Sequence, residues 1–146
     1  MSDDKKHVKS DELQSAKLEA FQKGLASIKK MDSKRDQFDF LFAMRRNVEI
    51  ENDPVFFEII EQIDSMLLGH GLVLFVMGGH NLSDPKIMGY CAHCVDVLIQ
   101  EISYIRYCGG DEDRIFEIWI NKINEMEEEL HRDGLPDFVK KGGEND

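Results

Sequence analysis

The run from Asp53 to Asn81, DPVFFEIIEQIDSMLLGHGLVLFVMGGHN, limits what this chain can fold into more than any other stretch. It opens on Asp53-Pro54, a helix-start pair. An aspartate side chain can accept from the first free amides of a helix, and proline suits the first helical position because no N–H is needed there. Glu58 lies near that positive helix end. Phe56, Ile60, Ile63, Leu67 and Leu74 recur at three, four and seven residues, with His70 on the same face. From Leu72 to Met77 the apolar residues go all the way round, which predicts burial on every side. The segment 72–77, rich in Val, Leu and Phe, also suits a buried strand. Gly69 and Gly71 keep that alternative open, because each glycine costs a helix about 1 kcal/mol relative to alanine. One helix to about Met77 is the favoured reading, since no partner strand is visible elsewhere. The Met66–Met77 run, broken by two glycines and a histidine, falls short of the ~20 residues a bilayer span needs.

The rest of the chain reads as amphipathic helices that pack around this stretch. Residues 1–9 form a charged, flexible tail, and Ser10 caps a first helix with Asp11 and Glu12 in its first turn. Leu13, Ala16, Ala20, Phe21, Leu25 and Ile28 give it an apolar stripe opposite Lys17, Lys23, Lys29 and Lys30. Ser33 and Asp36 resemble a capping box for a second helix, which buries Phe38, Leu41, Phe42 and Val48 and carries Arg45 and Arg46 near its end. Phe40 and Met44 lie beside that stripe and either widen the core or form an exposed patch for a partner. Asp84-Pro85 opens a fourth helix with Ile87, Cys91, Cys94, Val95, Leu98, Ile102 and Ile105 on one face, ended by Cys108-Gly109-Gly110. Asp111 caps a last helix with the stripe Ile115, Trp119, Ile123, Met126 and Leu130, stopped by Gly134 and Pro136. The expected architecture is all-α: a single-domain bundle of four to five antiparallel amphipathic helices over residues 10–135, with a second flexible tail over 136–146.

Charge narrows the function classes. Of 29 acidic and 18 basic side chains, residues 1–54 carry 11 of each, so the net charge of −11 comes wholly from residues 55–146. An acidic surface repels nucleic acid and anionic membranes and attracts basic proteins. Arg45-Arg46 and the lysines of the first helix could form a local basic patch, but there is no basic recognition helix and no strongly basic amphipathic face, so neither direct nucleic-acid binding nor membrane binding is expected. The N-terminus shows no signal-peptide pattern and the three cysteines are an odd number, which together point to the reducing cytoplasm.

Four clusters could carry chemistry. Cys91-Ala-His-Cys94 has the C-x-x-C spacing of a zinc half-site, which His93 and His80 would complete. The competing reading makes Cys91 and Cys94 small apolar residues of a helix core. Glu128-x-x-His131 has the spacing used in di-iron bundles, but such bundles need two copies and only one is present. His70 lacks any nearby nucleophile partner and reads as a hydrogen-bonded core histidine. The loop Gly78-Gly79-His80-Asn81 could cradle an anion with its amides, but it lacks the P-loop lysine and reads as a tight turn.

With no complete catalytic constellation, the expectation is a non-enzymatic, cofactor-free protein that binds another protein, as an inhibitor, adaptor or chaperone-like factor of a basic or nucleic-acid-binding partner. Asp113, Glu117, Glu125 and Glu128 on the last helix, with Phe40 and Met44, are the expected contacts. Self-association through the first helix or the Phe40–Met44 region is a related expectation. The alternative, from another class, is a zinc protein using Cys91, Cys94, His93 and His80.

Overall fold

The structure is a computed structural model that describes residues 2–110 and 114–139, with side chains from Asp11 onward. Every regular element among the described residues is helical: α1 (Ser2–Ser27), α2 (Lys34–Glu51), α3 (Phe57–Met77), α4 (Pro85–Tyr107) and α5 (Ile115–Asp133), with 3₁₀ turns at Ile28–Lys30 and Pro54–Phe56. The all-α expectation therefore holds. The chain divides into two compact units within α3, Met1–Ile63 and Asp64–Asp146.

In the first unit, α1 begins before Ser10, where the sequence placed its cap. The Ser33 side chain accepts from the Asp36 amide at 3.3 Å and starts α2 as expected. The helix runs on to Glu51 and stops at Asn52 in the left-handed conformation. Arg45 thus lies short of the last turn; it is 6% exposed and pairs with Glu49 one turn on, so its charge is matched locally. Asp53 has two roles. One carboxylate oxygen accepts from the Val55 amide at 3.1 Å and the other from Gln14 Nε2 at 2.5 Å, which ties the turn before α3 to α1. Lys17 and Glu51 add an ion pair at 2.8 Å, and Phe21 meets Phe56 edge-on at 5.4 Å. The α1 stripe is buried only toward its end, at Leu25 and Ile28. Leu13 is 57% exposed, and Ala16 and Ala20 are also exposed, which corrects the first half of the expected stripe.

In the second unit, the 72–77 segment is helix, not strand. Along α3 as a whole, Ile63 and Leu67 are buried as expected, as is Phe56 just before it, while Ile59, Gly71 and Phe75 are buried in place of the expected Ile60, His70 and Leu74, which are half-buried. All-round burial of 72–77 is not observed, because Val73, Val76 and Met77 are at least half exposed. The stretch Pro54–Met77, longer than the Met66–Met77 run, is long and apolar enough to cross a membrane by length and composition. It also carries exposed Glu58 and Glu61. Asp84 accepts from the Lys86 amide at 2.9 Å and opens α4 with Pro85 at its first turn. Gly109, at φ 79°, and Gly110 close α4 by donating to Arg106 and Ile105 carbonyls. Asp111, expected to cap α5, lies outside the described residues; Arg114 precedes the helix without a side-chain cap bond. Ile115, Trp119, Ile123 and Leu130 are its buried stripe. A last turn closes where the Val139 amide donates to Pro136, and residues 140–146 of the expected tail lie outside the described residues.

Gly71 sets how closely α3 approaches α4 and α5. A Cβ there would come to 2.7 and 2.8 Å from the two Val95 methyls and 3.2 Å from the Trp119 ring, and both side chains are fully buried. Neither can retreat into solvent, so a methyl must push the helices apart. Gly69, two residues back and so on nearly the opposite side of the helix, has nothing near it. Gly71→Ala is expected to destabilise the protein by about 1–2 kcal/mol, overpacking outweighing the gain in helix propensity. Gly69→Ala is expected to stabilise it by about 0.5–1 kcal/mol. Urea unfolding of the two variants checks the pair.

Candidate functional site

Two places in the second unit bring chemically capable side chains together. The first lies along α4 and α5. Val97 and Leu98 of α4 and Met126 of α5 line a cleft of about 400 Å³. Glu101, Glu125 and Glu129 line the same cleft. Lys122 reaches Glu125 only at 3.9 Å. A second cleft of about 340 Å³, toward Pro136, shares Tyr90 and Glu129 with the first. Beyond the cleft, α4 exposes Tyr104 and Tyr107.

Cys94 and Tyr90 line this cleft, and Cys91 is buried on α4. Burial pushes Cys91 up to about 11, helped by Cys94 beside it. Burial also raises Cys94, against a hydrogen bond with Tyr90, and the Tyr90 phenol rises to about 12 mainly through burial. A thiol raised in this way is a weak nucleophile near neutral pH.

The second place joins the α3–α4 loop to the end of α5. His80 Nε2 lies 3.3 Å from Glu127 Oε1, and His131 Nε2 lies 2.9 Å from the same oxygen. The two imidazole rings stack at 4.0 Å between centroids, tilted 33°. Phe75 meets the His80 ring edge-on at 5.9 Å. The backbone supports this arrangement. Gly79 takes φ 94°, and at Gly78 an added Cβ would overlap the Glu127 carboxylate. His131 Nε2 is also 2.5 Å from the Gly78 carbonyl oxygen.

The residues expected from the sequence are distributed between these places. His80 is drawn to Glu127 and His131, while Cys91 is buried, Cys94 half-buried and His93 exposed on α4. Among the described residues, the His/Cys/Asp/Glu group whose donor atoms converge is His80, Glu127 and His131, and the expected Cys91–His93–Cys94–His80 set is split. Glu125 lines the cleft; Glu117 and Glu128 are exposed on α5; Asp113 lies outside the described residues. Phe40 is half-buried and Met44 only 6% exposed, both packed at Gly24, so Met44 belongs to the core reading of that pair. The loop amides do not cradle an anion: Gly78, Gly79 and His80 N–H groups donate to the Leu74, Val76 and Phe75 carbonyls. Glu127 was missed. Its partner His131 lies four residues on, but the spacing that draws the eye is Glu128-x-x-His131. No protein family, curated protein or solved structure matches this chain.

Burial of Cys91 makes stability depend on alkaline pH. The folded thiol binds its proton more tightly than the unfolded one, so its contribution is whole below about pH 9 and is lost as pH rises through about 11. The loss is on the order of 2 kcal/mol. Urea midpoints between pH 8 and 11 should fall more steeply for the wild type than for Cys91→Val, which has no proton to lose. Parallel slopes would place the thiol in contact with water.

Proposed function

We propose that this chain is a non-enzymatic protein that binds a basic partner protein through the α4–α5 cleft. The observation that carries the reading is the pairing of an apolar floor, Val97, Leu98 and Met126, with the carboxylates Glu101, Glu125 and Glu129 in one concavity. That combination fits an apolar side chain flanked by lysine or arginine. The apolar contact supplies affinity, and the carboxylates supply orientation and speed of encounter. The exposed Tyr104 and Tyr107 extend the same helix with residues of the type enriched at protein interfaces. The excess negative charge of residues 55–146 works in the same direction.

The partner in this reading is a basic protein, such as one that binds nucleic acid, with the chain acting as its inhibitor, adaptor or chaperone-like factor. The scaffold is an antiparallel arrangement of α3, α4 and α5 within residues 64–146. Cysteines without disulfides, Cys91, Cys94 and Cys108, suit a reducing compartment such as the cytoplasm.

A photo-crosslinking amino acid at Val97 identifies the partner, and titration of the purified pair then tests the contact. Raising salt from low to about 0.5 M is expected to weaken association more than tenfold, because surface charge pairs are screened over a few ångströms at that strength. The double variant Glu125→Lys with Glu129→Lys is expected to weaken it at least as much while leaving the melting temperature within a few degrees. Association that is indifferent to both salt and charge reversal would overturn the reading.

A further inference from the structure

We infer that His80, Glu127 and His131 form a binding site for one divalent first-row transition ion, with Zn²⁺ as the reference ion. The site shares no residue with the α4–α5 cleft and stands independently of the partner-binding reading.

The first support is convergence. His80 and Glu127 are 47 positions apart in sequence, yet both imidazoles direct the same nitrogen, Nε2, at a single carboxylate oxygen. All three donor atoms lie within 4.8 Å of one another. An ion with metal–nitrogen and metal–oxygen bonds of about 2.0–2.2 Å in tetrahedral geometry needs donor-to-donor edges of about 3.3–3.5 Å. The observed N–O separations of 3.3 and 2.9 Å are already near that edge length. The third edge, between the two Nε2 atoms, lies within 4.8 Å, and His131, the most exposed member, is best placed to adjust as the ion enters.

The second support is the chemistry of the donor set. Two imidazoles and one carboxylate make a borderline nitrogen–oxygen site, which suits zinc and its neighbours in the first row better than calcium or magnesium. Without an ion, His131 Nε2 is shared between the Glu127 carboxylate and the Gly78 carbonyl, and His80 Nε2 between the Glu127 carboxylate and the Glu127 backbone carbonyl. With an ion, both Nε2 lone pairs are needed, so each ring keeps its proton on Nδ1 or releases it. The cation then takes the place of the proton-mediated link between rings and carboxylate.

The third support is preorganisation with access. The His80 side chain is 7% exposed and that of Glu127 16%, so two donors are held within the protein. The His131 side chain is 53% exposed, which leaves an open side for the ion and for a water as fourth ligand. Gly78 brings backbone against the Glu127 carboxylate where no Cβ fits, and Phe75 packs the edge of the His80 ring. Neighbouring Glu128 and Glu129, both exposed, favour the approach of a cation.

The test is calorimetric titration of the metal-stripped full chain with Zn²⁺, with Co²⁺ absorption as a reporter of ligand type. One ion per chain is expected, with Co²⁺ giving no thiolate-to-metal charge-transfer band. His131→Ala, at an exposed position that should not disturb folding, is expected to weaken Zn²⁺ binding at least tenfold, and Glu127→Gln likewise. Gly78→Ala should do the same by displacing the carboxylate, while Cys94→Ser should leave the affinity unchanged. Zn²⁺ should raise the melting temperature of the wild type and not of His131→Ala. Lack of saturable binding, equal affinity in wild type and His131→Ala, or loss of binding in Cys94→Ser would each overturn the assignment.

Discussion

The packing of residues 64–146 depends on one missing side chain. Gly71 lets α3 come close enough for Val95 of α4 and Trp119 of α5 to close over its backbone. Once Trp119, Ile123 and Leu130 face inward, the rotation of α5 is set. At about 100° per residue, Glu127 then falls at the edge of the buried stripe, one turn after Ile123 and just short of Leu130. His131 falls one turn beyond Glu127 on the outside. Glu125 and Glu129 fall on the side that meets α4 across the cleft. One close approach thus separates the carboxylates of a single acidic helix into two groups with different chemistry.

The two groups differ mainly in how water reaches them. At the cleft, Glu125 has only a distant, exposed lysine and keeps its charge available to a partner. At the α5 end, Glu127 is largely withdrawn from water and shared by two imidazoles. Cys91 is fully buried on α4, while Cys94, half-buried, lines the cleft; burial raises both thiols.

What the sequence shows well is what local chemistry decides. Ser33, Asp53 and Asp84 cap where they should, because a side chain two or three residues from the amide it accepts needs no tertiary information. The glycine pair after Cys108 is legible for the same reason. The rotation of α3 is not. A segment apolar on all sides has no phase to read, so Phe75 takes the buried place expected of Leu74, and Val73 and Val76 are left facing out. The exposed first half of the α1 stripe was hidden too, since Leu13 looks apolar whether or not anything covers it. For the sites, Glu125 was visible as part of an acidic helix and His80 as a potential ligand. The meeting of His80 with Glu127 was beyond reach, because no local pattern links a loop to a helix 47 residues on.

The central claim is that the acidic cleft exists to hold a basic partner. Native mass spectrometry of the untagged chain, purified gently from its own cells without chelator, addresses it most directly. The account predicts a complex of this chain with a second, basic polypeptide that dissociates as the salt of the preparation is raised. The chain alone, or only whole multiples of its own mass, would contradict it.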